Sequence, residues 1–186
     1  SRIPTGFQSE RIFHVPAVTI GGHSTTPLKQ PPDADLVLLN TAQSAELAVR
    51  DLYNEELSVR AFSDVQKSVL ELFRDHHTAY AQALNGLLGK LASNERNESL
   101  FASYTRRGRS TEESLLTLQS LENILVATHT SIVGSLENLD GANLVASILM
   151  GEARHAAVFS SAPTMDITAA LNDVAGSLVT SNSVGG

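Results

Sequence analysis

The sequence contains no cysteine, so disulfides, thiolate metal sites and cysteine nucleophiles are excluded. That absence does not indicate a compartment, because disulfide-free proteins occur on both sides of a membrane. No apolar run is long enough to cross a bilayer. Positive charge is in the minority: 13 Lys and Arg stand against 20 Asp and Glu, a formal charge of -7. This argues against nucleic-acid binding, since phosphate contacts depend on clustered Lys and Arg. The one basic cluster, Arg106, Arg107 and Arg109, reads as a solvated loop, with docking to an acidic partner or lipid headgroup as the sharper alternative. Aromatic residues are scarce at 5%. With abundant Ala, Leu and Ser, that scarcity favours helices over a sandwich.

What is present fits one domain with tails: 186 residues, 42% of them hydrophobic, suffice for one well-buried core. Apolar residues recur at helical spacing in four stretches, and each stretch carries polar residues at its middle. The stripes read Leu39, Ala42, Glu46, Val49, Tyr53; then Val69, Phe73, His77, Tyr80, Leu84, Leu87, Leu91; then Leu115, Leu118, Glu122, Leu125, His129, Ile132, Leu136; and last Leu144, Ile148, Glu152, His155, Phe159. Burying isolated charge is very costly. The polar members are therefore metal ligands or a paired polar network, and four such helices side by side bring them to one depth.

In chain order, residues 1–32 form an extended arm, because Pro4, Pro16, Pro27, Pro31 and Pro32 prevent a sustained helix. Its Ile3, Phe7, Ile12, Phe13, Val15, Val18 and Ile20 are too apolar for a linker. We expect the arm to lie against the bundle or a neighbouring protein; His14 and His23 in it read as surface or packing residues. The first helix is expected from Asp33 or Asp35, a carboxylate serving as N-cap, to about Leu57. Ser63 with Gln66 is a capping box opening the second helix, to about Ala92. A long crossover follows, with a short helix over Glu98–Tyr104, and at about 3.3 Å per extended residue it can span the bundle. Ser110 with Glu113 opens the third long helix to about Asn138; Asp140 caps the fourth, which ends near Ala162. An amphipathic segment over Asp166–Leu178 precedes a mobile Ser, Asn and Gly tail. The expected division is thus arm 1–32, four-helix bundle 33–162 and tail 163–186.

The two hairpins resemble each other. Glu46 followed by Tyr53 matches Glu122 followed by His129, and His77 with Tyr80 matches Glu152 with His155. A Glu in the first helix of each hairpin and Glu-x-x-His in the second, joined by a long crossover, resembles the ferritin-like di-iron carboxylate proteins over about Leu36–Ala162. The chain looks like the bacterial ferritin-like domains of exported proteins. That resemblance implies an all-α, up-down four-helix bundle of two hairpins with a long crossover, and candidate metal ligands Glu46, Glu122, Glu152 and His155. The second helix departs from the pattern, with His77 where the motif has Glu and Tyr80 where it has His. The departure leaves three carboxylates, His77 and His155 as the metal set, with Tyr80 a poor neutral ligand. His76 and Asp75 flank the stripe as a solvated pair or as outer support to a ligand.

Two readings follow. In the favoured one the site is degenerate and metal-free, and the protein is a non-enzymatic accessory subunit of a larger cell-envelope assembly. A protein partner then contacts the arm, and the carboxylates are held by Tyr53, Tyr80, His129 and His155 or are partly protonated. In the alternative, one or two divalent ions, Fe, Mn or Zn, bind at Glu46, His77, Glu122, Glu152 and His155, with residual redox activity. His129 reads as a hydrogen-bonded core residue in both. The chain opens with Ser1 rather than Met, and an exported protein with its leader removed is expected, associated with the membrane at most through that leader or a partner; a cytoplasmic location also fits. A hydrolase would need a nucleophile beside a base with an orienting acid, and spacing supplies no such set around Ser160 and Ser161.

Overall fold

The computed structural model describes residues 31–161. The expected extended arm, apart from Pro31 and Pro32, the amphipathic segment over Asp166–Leu178 and the tail lie outside these residues. Five α-helices follow in order: α1 (Asp33–Val59), α2 (Asp64–Leu88), α3 (Glu98–Tyr104), α4 (Thr111–Ser135) and α5 (Leu139–Ser160). A single 3₁₀ turn, Gly89–Leu91, extends α2. No described helix is long and apolar enough to cross a membrane.

Local chemistry sets most of the ends. Ser63 and Gln66 close a capping box on α2, and Ser110 and Glu113 close one on α4, each satisfying two otherwise unpaired N–H groups. Gly89, at φ 57°, stops α2 at Leu88 in a conformation that suits glycine, four residues before the expected end at Ala92. Two expected caps are replaced. Pro32 holds the N-cap position of α1, which leaves Asp33 and Asp35 in the first turn, where the helix dipole favours carboxylates. Asn138, not Asp140, caps α5 by accepting from the Gly141 amide.

Asp35 has a different task. It is fully buried and accepts from the backbone N–H groups of Glu137 and Asn138 at 2.7–3.2 Å, tying the start of α1 to the α4–α5 turn. Asp35→Ala leaves those amides without a partner in a closed setting, and a loss of about 2–3 kcal/mol in urea unfolding is expected.

Short turns make α1 antiparallel to α2 and α4 antiparallel to α5, and these are the two closest helix pairs. The crossover climbs α1. Asn40 binds Leu91 and Ser93, Gln43 binds Asn94, Ser44 accepts from Asn97, Asp51 pairs with Arg96, and Arg60 donates to the Arg106 carbonyl. Residues 91–106 thus travel the length of α1 and deliver the chain to the opposite end. As a result α4 runs parallel to α2, and α5 parallel to α1. The basic cluster is only partly solvated: Arg109 donates to Tyr104 O and lies 3.8 Å from buried Glu56, while Arg106 and Arg107 are exposed.

Two apolar clusters fill the interior. One, towards the α1–α2 turn, contains Val49, Leu52, Tyr53, Phe73, Leu118, Leu125 and Phe159, among others. The other, towards the α4–α5 turn, contains Leu39, Ala42, Leu84, Leu88, Ile132, Val145 and Ile148. Between them lies a layer of acids and imidazoles. The stripes of α1 and α4 match this core, apart from Leu136, which is half-buried at the end of α4. In α2 the core side is Ala81, Leu84 and Leu88, while Tyr80 and Leu87 are half-buried and Leu91 is exposed; in α5 Val145 takes the place of Leu144. Both shifts follow from choosing between neighbouring apolar residues that a helical period alone cannot separate.

Candidate metal centre

Glu46, His77, Glu122, His129 and Glu152 are fully buried, and His155 is 2% exposed. They come from four helices and meet at one depth. Their donor atoms form two groups, each within 4.8 Å: His77, Glu122 and His155 on the side of the α1–α2 turn, and Glu46, His129 and Glu152 on the side of the α4–α5 turn. All five candidate ligands are thus brought together. The expected set is nevertheless divided, because Glu152 and His155 fall in different groups.

Hydrogen bonds join the groups. His77 Nδ1 lies 2.7 Å from Glu46 Oε2 and its Nε2 lies 3.0 Å from Glu122 Oε1. Tyr53 donates to the same Glu122 oxygen at 2.5 Å, and His155 Nδ1 reaches Glu122 Oε2 at 3.3 Å. His129 Nδ1 donates to Glu152 Oε2 at 2.8 Å, and its Nε2 stands 3.7 Å from Glu46 Oε1, beyond hydrogen-bond reach. The internal repeat is visible here: Tyr53 addresses the Glu of the second hairpin, and His129 faces the Glu of the first.

Burial and charge set the protonation states. Desolvation opposes a charge on His77, but the Glu122 and Glu46 carboxylates outweigh it and raise the ring to about 10. Burial likewise opposes ionisation of Glu122, yet His77 and His155 hold it down at about 2. Glu152 is pushed well above the usual carboxylate range by burial, and the Glu46 charge adds to this. His129 is raised, its burial being outweighed by the bond to Glu152. Burial sends the Tyr53 phenol well above its ordinary value, with Glu122 adding to the effect.

The flanking residues separate. His76 Nδ1 lies 2.9 Å from His155 Nε2, with the two rings stacked at 10°. Because Glu122 can only accept from His155 Nδ1, the outer nitrogen of His155 is left to accept from His76, which fixes the ring's orientation. Asp75 turns away and binds Arg74. Tyr80 does not hold a carboxylate as expected; it is half-buried, and its hydroxyl lies over Gly151. A Cβ at position 151 would run into that hydroxyl and come 2.9 Å from Cζ. Gly151→Ala must therefore displace Tyr80, and a destabilisation of about 1–3 kcal/mol is expected in chemical denaturation; adding Tyr80→Ala should remove most of the extra cost. Ser160 and Ser161 donate to carbonyls of their own helix, Ala157 O and Val158 O.

His129 is the hydrogen-bonded core residue expected from its place in the stripe, bonded to Glu152, but the expected metal set omits it, and its free Nε2, facing Glu46, adds it to that set. With it the cluster regains six donors, three carboxylates and three imidazoles, although α2 contributes only one.

A four-helix bundle with a long crossover and an internal carboxylate and imidazole cluster defines the class of internal-site helical bundles. The model of the ferritin-like domain matches residues 34–164, and the chain belongs to that family. No curated protein and no solved structure matches it.

Proposed function

We propose that this ferritin-like protein binds divalent transition-metal ions at the middle of its bundle through Glu46, His77, Glu122, His129, Glu152 and His155. One observation carries the reading: Glu46 Oε1, Glu152 Oε1 and His129 Nε2 are buried in one group with no donor directed at them, so that without an ion only a proton shared between the two carboxyls joins them. Buried polar atoms are normally paired, and leaving three together is costly. An ion among them would serve all three. The donor set fits, since mixed imidazole and carboxylate ligands suit Fe, Mn or Zn. Bound iron or manganese would supply one-electron redox chemistry, and zinc Lewis acidity.

The chain's own residues prepare the site. Tyr53 fixes one oxygen of Glu122, His76 orients His155, and the apolar clusters on either side exclude water. Full-length chain purified without chelators should carry at least one equivalent of metal, with anomalous scattering centred between α1, α2, α4 and α5. Failure to take up Fe²⁺, Mn²⁺ or Zn²⁺ after incubation with each would end this reading.

A second reading rests on His77. A protonated ring linking Glu46 to Glu122 offsets part of the buried negative charge without an ion, which favours a metal-free accessory subunit. In that reading the protein is exported to the cell envelope and meets its protein partner through the arm. Persistence of a folded, metal-free protein in native extracts, recovered with a partner that is lost on deleting residues 1–32, would favour it.

A further inference from the structure

We infer that His77 bridges two metal ions through its two ring nitrogens, one ion in each of the two groups. The inference rests on the metal-binding reading above and adds the number and arrangement of the ions. Nδ1 is 2.7 Å from Glu46 in one group, and Nε2 is 3.0 Å from Glu122 in the other. Two donors at right angles on one ion, each about 2.1 Å from it, lie about 3 Å apart. Both pairs are thus close enough to become neighbouring ligands once an ion takes the place of the proton between them.

The ring cannot readily turn away from this task. It is fully buried, stacked on Tyr53 at 5.4 Å and 30°, and met edge-on by Tyr80 and His155. On binding, each ion takes the place of a ring proton, and both protons leave to solvent. The two positions are unequal. Glu46, His129 and Glu152 stand on the Nδ1 side with two carboxylates and an imidazole, whereas Glu122 and His155 stand on the Nε2 side with one of each. The position with two carboxylates should fill first and release its ion last.

Ion separation decides the matter. Two metal–nitrogen bonds and the width of an imidazole ring place bridged ions about 6 Å apart, whereas the usual two-metal site holds them about 3.5–4 Å apart. The experiment loads the full chain with Zn²⁺ or Co²⁺, counts ions by elemental analysis and measures their separation by anomalous diffraction or X-ray absorption. Wild type should hold two ions about 6 Å apart. His77→Gln, which offers a single donor, should fall from two equivalents to one, with helicity by circular dichroism confirming that it folds. His77→Glu should keep two ions and draw them to about 3.5–4 Å. Two ions at the shorter distance in wild type, or two ions at unchanged distance in His77→Gln, would overturn the bridge. A single ion held by Glu46, His129 and Glu152 overturns the bridge but leaves metal binding standing, and uptake of no ion overturns both.

Discussion

Glu122→Ala is expected to lower the unfolding free energy of the metal-free protein by about 3–5 kcal/mol, the range for breaking a buried charged pair by removing one partner. Glu122 is the most connected group in the interior: Tyr53 and His77 share one of its oxygens and His155 takes the other. Alanine leaves a phenol and two imidazoles unsatisfied, with only Glu46 remaining beside His77. The removed side chain also leaves a cavity between two packed clusters, which adds to the loss. Glu122→Gln should cost less, because an amide still accepts from Tyr53 while removing the charge that keeps His77 protonated. Urea titration reads both variants, and an unchanged slope would assign the shift to the native state. A loss below about 1 kcal/mol for Ala, the size of a single ordinary hydrogen bond, would mean that the layer is not held through Glu122.

The second large effect is a pH profile that metal reverses. Glu122, depressed to about 2 from 4.5, stabilises the fold above its ordinary value and loses that contribution as the pH falls through about 2. His77, raised from 6.5 to about 10, contributes fully below 6.5 and loses it as the pH rises through about 10. Glu152 acts in the same direction as His77 at the alkaline side: the unfolded chain ionises this carboxyl first, so folding becomes less favourable as the pH rises above its ordinary 4.5. The metal-free protein should therefore be most stable near 4.5, weaken above it through Glu152, and weaken further above 6.5 through His77. Ligands must shed protons to bind an ion, so stabilisation by Zn²⁺ should grow over that same alkaline rise. Melting at about pH 5.5 and pH 8.5, with and without zinc, tests the sign. A metal-free protein more stable at the higher pH would refute the protonation scheme.

The elements and the members of the site were largely legible in the residues. Ser63 with Gln66 and Ser110 with Glu113 announce helix starts because a cap is a contact between residues three apart. Glu46, His77, Glu122, Glu152 and His155 stood out because polar residues inside an apolar stripe must find partners within the core. Asp35 and Asp33 were misread as caps for the opposite reason. The true partner of Asp35 is the turn at Glu137 and Asn138, a hundred residues away, and nothing local points to it.

By itself, then, the sequence determined an all-helical ferritin-like bundle and placed acids and imidazoles at its middle, since periodicity and capping act over a few residues. Only the tertiary structure decided how those groups are shared. Glu152 and His155 lie three residues apart, about 4.5 Å along the helix axis, enough to put them in different groups once antiparallel neighbours are aligned. The same alignment brought His129 to Glu152, set His77 between Glu46 and Glu122, and turned Tyr80 out over Gly151. Such choices depend on the rotation and axial offset of whole helices, which are set by packing across the bundle.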